Sequence, residues 1–115
     1  MIRNAFSFCL LILFFNSCNT PKNVVAGQAD VERGAKLYPG YSLAKLTQGR
    51  NLYEGNCGKC HSLYSPGSES AESWGMIVPR MTKKANKKAG AQIINPDQET
   101  LILQYLVTMS TAPRN

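Results

Sequence analysis

Histidine is nearly absent from this 115-residue chain: His61 is the only one, and beyond it neither His nor Cys occurs again. A closed structural zinc site needs four ligands, so the cysteine pair just ahead of His61 finds no second half downstream. No alternating strand pattern surrounds the pair, which argues against a thioredoxin-like dithiol. Acidic residues are also few, 7 against 13 Lys and Arg, for a formal charge of +6. The interleaved aromatics and arginines of a nucleic-acid surface are missing, so no nucleic-acid partner is expected. An acidic protein or anionic lipid headgroups suit the charge better. The longest apolar run covers residues 5–15, short of the roughly 20 residues that span a bilayer. No paired carboxylates and no nucleophile with an adjacent base stand out, so the sequence predicts a protein that is not itself an enzyme.

At the N-terminus, Arg3 followed by the apolar run has the form of a signal peptide over residues 1–17. Phe15-Asn16-Ser17-Cys18 resembles a bacterial lipoprotein box, with Phe15 in place of the usual Leu. Cys18 is therefore the expected lipidation site, which would hold the protein on the periplasmic side of a bacterial membrane. An ordinary secretory signal would instead release it into the periplasm. Residues 18–41 read as a lipid-anchored tether and arm. The first part shows no periodicity, residues 30–38 can form a short helical turn or an arm lying on the domain, and Pro39-Gly40 signals a turn. Gly34-x-x-Leu37-Tyr38 is echoed by Gly49-x-x-Leu52-Tyr53, but two copies of so short a pattern do not make a repeat architecture.

Cys57-Gly58-Lys59-Cys60-His61 fits C-x-x-C-H, the attachment signature of c-type haem. Two thiols at this spacing can bond the two vinyl groups of one haem, while the next residue brings its imidazole under the iron as proximal ligand. One covalent haem c is the expected cofactor. The four cysteines then sort without a disulfide: Cys9 leaves with the leader, Cys18 carries lipid, and Cys57 and Cys60 take the haem.

Helical signals surround the motif. Ser42 is a plausible N-cap for a helix from about residue 43 into the motif, on which Gly49, Tyr53 and Cys57 share a face at intervals of four. Asn95-Pro96-Asp97-Gln98 combines an N-cap, a first-turn proline, an acid at the positive dipole end and a capping-box Gln. The helix body should cover residues 99–109, with Ile102, Tyr105, Leu106 and Met109 as its buried stripe and Pro113 stopping it. Between these helices, Trp74, Ile77, Val78 and Met81 form a second stripe, with Met76 off it and Pro79 expected to kink or end the helix. With no second histidine, a methionine thioether is the expected sixth iron ligand, and beyond the leader only Met76, Met81 and Met109 remain.

The small residue, aromatic and first haem Cys at Gly49, Tyr53 and Cys57, together with Ile102 and Tyr105 on the last helix, resemble the class I cytochrome c family over about residues 43–109. The resemblance implies an all-α domain at residues 42–115, with three to four helices around one covalent haem and the first and last helices crossed near Gly49. By the same resemblance the Pro66 carbonyl would accept a hydrogen bond from the second ring nitrogen of His61. Met81 matches the ligand methionine of short bacterial relatives with a Trp followed by Val-x-x-Met; Met76 and an open site are the alternatives. Trp74 would either pack on the haem wall or hydrogen-bond a propionate. Met/His ligation fills both axial positions and favours electron transfer over oxygen chemistry. The expected function is thus a one-electron carrier of an extracytoplasmic redox chain. The alternatives are a subunit that feeds electrons into a larger oxidoreductase and a haem-based sensor with a labile sixth ligand. Lys83, Lys84, Lys87 and Lys88 form a basic run that would suit an acidic redox partner.

Overall fold

The computed structural model describes residues 27–113. The predicted signal peptide, the predicted lipidation site Cys18 and the first part of the predicted tether lie outside the described residues. Four helices follow in order: α1 (Gln28–Ala35), α2 (Leu43–Cys57), α3 (Ala71–Ala89) and α4 (Pro96–Ser110). A single 3-10 turn, Pro66–Ser68, stands between α2 and α3. Among the described residues there is no strand, as the all-α expectation requires, and no helix is long and apolar enough to cross a membrane.

Helix α4 is the axis of the fold, touching the other three helices and the 3-10 turn. Its start is locally encoded. The Asn95 side chain accepts from the Gln98 amide at 2.9 Å, and the Gln98 side chain accepts from the Asn95 amide at 2.9 Å, so two otherwise unpaired donors are satisfied reciprocally. Ile102, Tyr105, Leu106, Val107 and Thr108 are buried along it, while Met109 is only partly buried against the core.

Helix α2 begins at Ser42, whose hydroxyl accepts from the Lys45 amide at 3.3 Å. It meets α4 at Gly49, where an added Cβ would run into the Leu101 carbonyl and come within 2.8 Å of the Tyr105 Cβ. The absence of a side chain is what lets the two backbones approach. Helix α1 uses the same device one layer away: a Cβ on Gly34 would strike the Tyr41 ring and lie 2.9 Å from the Thr108 hydroxyl. The echoed Gly-x-x-Leu-Tyr pattern therefore marks two helices seated on α4, although the structure is not a repeat. Arg33 secures α1 further, donating from Nε to the Thr108 carbonyl at 3.0 Å and pairing with Asp30. A cation at the C-terminal end of α4 also meets the negative end of its dipole. The expected arm is thus a helix that lies on the domain against α4.

Helix α3 does not end at Pro79, one of the two outcomes expected there. It runs unbroken through Pro79 to Ala89, although the proline lacks the amide that would bond the Gly75 carbonyl and its ring crowds that carbonyl. Gly75 is exposed, with open space where its Cβ would be, so its carbonyl can turn to water without disturbing a neighbour. Gly90 ends the helix in the left-handed region at φ 66°, where glycine carries no side-chain penalty. Asn86 then clamps the link to α4, donating to the Ile94 carbonyl and accepting from the Ile94 amide, both at 2.9 Å.

Candidate haem site

The two walls of the site come from α2 with its C-terminal continuation and from α3. On one side, α2 stops at Cys57, and the chain turns through Gly58 and Lys59 to Cys60 and His61. Cys57 is half-buried and Cys60 exposed. Burial, and next the neighbouring Cys60, push the Cys57 thiol pKa up. Facing them is α3, whose Trp74, Ile77, Val78 and Met81 all line one cavity of about 580 Å³ with Cys57, Cys60 and His61. Ile102 and Leu106 of α4 close its floor. The predicted stripe therefore holds its geometry as far as Met81, because α3 continues past Pro79.

The cavity separates the methionines. Met81 lines it and is partly buried, whereas Met76 is 66 % exposed on another face of α3. Met109 belongs to the packing of α4.

His61 departs from expectation in its hydrogen bond. Its Nδ1 lies 2.8 Å from the Ser62 carbonyl. A carbonyl only accepts, so in the neutral ring the proton sits on Nδ1 and the Nε2 lone pair is left for a metal. Pro66, expected to provide that acceptor, instead accepts from the Trp74 indole Nε1 at 2.8 Å. The reason is placement: Pro66 opens the 3-10 turn that packs on α4, whereas Ser62 adjoins the imidazole in the chain. The same bond occupies the Trp74 indole donor, so Trp74 is 2 % exposed wall packing rather than a free donor to a propionate.

Tyr53 has a role beyond the face-sharing read from its spacing. Its hydroxyl donates to the Tyr64 carbonyl at 2.7 Å, tying the segment after His61 back to α2. Its ring meets Trp74 edge-on at 6.3 Å and Tyr105 at 6.1 Å. Burial is the first cause that lifts its pKa to about 12, with Cys57 adding to it. Neither the Tyr64 nor the Ser62 acceptor could be found from residue type, because both are main-chain groups. A signal did exist for the charged rim: Arg80, Lys84 and Lys88 stand at i, i+4 and i+8 on α3, and all three line the cavity with Glu69. The Lys88 ammonium lies 3.6 Å from the Cys60 sulfur.

These residues fit a haem. Two thiols and an imidazole with an available nitrogen stand at one side, a thioether lines the same apolar space, and a buried indole and aliphatic side chains wall it. No curated protein and no solved structure matches the chain. A family model described as dihaem cytochrome c matches residues 53–115, more than half of it. That family is a dihaem one, unlike the mono-haem class I family that the helix spacing resembles, although C-x-x-C-H occurs once in this sequence. Because the match opens at Tyr53 and takes in the attachment signature, α3 and α4 with the cavity between them, the chain belongs to the dihaem cytochrome c family.

Proposed function

We propose that this c-type cytochrome carries one haem, bound through Cys57 and Cys60 and ligated by His61 and Met81, and passes single electrons between redox partners outside the cytoplasmic membrane. The observation that carries the reading is the shared cavity, with the signature on one wall and Met81 on another. A haem so ligated supplies one-electron chemistry at a raised potential. The chain's own residues do the rest. The Ser62 carbonyl orients the imidazole, and such outer contacts set ring position and basicity. Tyr53 holds the ligand segment to α2. Trp74, Ile77 and Val78 exclude water from the apolar side.

One attachment signature and one histidine support the reading of one haem per chain. The lipoprotein-like box at Cys18 supports an anchored position on the periplasmic side of a bacterial membrane. An acidic redox protein is the proposed partner, since exposed Lys84 and Lys88 stand at the cavity mouth and complementary charge mainly raises the rate of encounter.

The test is acid-acetone extraction of the purified full-length protein, with haem counted per chain by pyridine haemochrome. One haem that stays with the protein is expected. A Cys57→Ala, Cys60→Ala double variant that keeps its haem through the extraction, or two haems per chain, would overturn the reading.

A further inference from the structure

The charges around the cavity are unbalanced. Arg80, Lys84 and Lys88 line it against one carboxylate, Glu69, and among the described residues none of the three cations is in an ion pair. A haem brings two propionates, which leave the porphyrin on the edge away from its vinyl groups. The vinyl edge is marked by Cys60, and Lys88 stands beside that sulfur at 3.6 Å. Eight residues back along α3, at about 1.5 Å per residue, the Arg80 backbone lies about 12 Å along the helix axis from that of Lys88, a separation comparable with the breadth of a porphyrin. The Trp74 indole, a further candidate donor, is already bonded to the Pro66 carbonyl.

We infer that Arg80 binds a haem propionate, so that α3 lies along the cofactor with Lys88 at the thioether edge and Arg80 at the carboxylate edge. A guanidinium suits this position because its planar fork can engage both carboxylate oxygens, which an ammonium cannot do in the same geometry. The surplus of cations at the rim is then offset by the cofactor's own charge. Arg80 acts as a cofactor-binding residue on the wall that also carries Met81, one residue on. The assignment rests on the haem reading above.

Resonance Raman spectroscopy of the haem-loaded protein tests it, because the propionate-bending band falls in frequency when a hydrogen bond to the propionate is lost. Pyridine haemochrome is read first on the wild type, and absence of covalent haem there would sink the haem reading itself. With haem present, Arg80→Gln should move the band to lower frequency, Arg80→Lys should move it less, and Lys88→Gln should leave it in place. A band unmoved in Arg80→Gln, or moved as far by Lys88→Gln, overturns the assignment. Where Arg80→Gln yields no loaded protein, Arg80→Lys decides: a displaced band supports the contact and an unshifted band refutes it.

Discussion

The Trp74 indole nitrogen donates to the Pro66 carbonyl at 2.8 Å, joining the first half of α3 to the turn that precedes it. Trp74 is 2 % exposed, the bond is part-buried, and the ring also lines the cavity. Trp74→Phe removes the donor and part of the volume. Losing one part-buried hydrogen bond and a partial ring should lower unfolding free energy by about 1–3 kcal/mol, read by urea denaturation of the loaded protein. Because the imidazole takes its acceptor from Ser62, the axial-ligand bands of the absorption spectrum should persist in this variant. Their loss would place the Pro66 turn in control of the iron ligands.

Gly49 and Gly55 sit on the same helix and should respond in opposite directions to alanine. A Cβ at Gly49 meets the Leu101 carbonyl and the Tyr105 Cβ, both on α4, whereas a Cβ at Gly55 meets nothing within 4 Å. Gly49→Ala forces two backbones apart and should cost about 1–3 kcal/mol. Gly55→Ala removes only the conformational freedom of glycine in a helix and should stabilise by about 0.5–1 kcal/mol. Equal effects from the two substitutions would contradict the close approach of α2 and α4.

Met81 and Met76 offer a comparison on one helix, with Met81 in the cavity wall and Met76 66 % exposed. Oxidised protein with a methionine ligand should show a weak far-red iron–sulfur charge-transfer band. Met81→Ala should abolish it and let reduced protein bind carbon monoxide, while Met76→Ala should change neither. A band that survives Met81→Ala rules out Met81 as the ligand.

Local chemistry makes α4 legible in the sequence, because cap, first-turn proline and capping-box Gln lie within four consecutive residues. The start of α2 at Ser42 is equally plain. Other features depend on surroundings that residue type does not carry. Pro79 is a helix breaker by rule, yet α3 passes through it, with the residue four positions earlier an exposed glycine, Gly75. The His61 partner is a main-chain carbonyl, so no side chain at Ser62 announces it. Gly34 belongs to an echo too short to carry meaning by itself, and its use emerges only with Thr108 and Tyr41 folded against it. In the site, the C-x-x-C-H signature and the stripe ending at Met81 are apparent from spacing, while the bond between Trp74 and Pro66 joins two residues whose types suggest different ends.

Alkaline pH should loosen the fold through its tyrosines. Burial pushes the Tyr53 pKa from its ordinary 10.0 to about 12 and raises Tyr38, Tyr41 and Tyr105 in the same direction. Between the unfolded and folded values the native state holds more protons than the unfolded one, so stability must fall as pH rises. The Tyr53 contribution is fully present below about pH 10 and lost as pH climbs through about 12. Denaturation midpoints measured from pH 8 to 11.5 should fall with a slope that steepens above 10, and less so in Tyr53→Phe. A flat profile over that interval would mean that these hydroxyls are not withheld from water.

The basic run on α3 divides by face, and that division makes the proposed docking surface testable with charge held constant. Lys84 and Lys88 line the haem cavity, while Lys83 lines a separate groove with Pro79, Asn86 and Ile94, and Lys87 is exposed outside both. Lys84→Gln with Lys88→Gln and Lys83→Gln with Lys87→Gln each remove two positive charges from the same helix. An acidic partner attracted only by net charge would be slowed alike by both pairs. One that docks over the cavity mouth feels the first pair at short range, where screening over the Debye length of about 8 Å at physiological salt is weakest. Stopped-flow reduction by an acidic redox protein should therefore slow several-fold at low salt in the Lys84, Lys88 pair, with a shallower dependence on ionic strength, and change little in the other. Equal slowing would assign the attraction to the charge of the whole molecule, with no contact at the site.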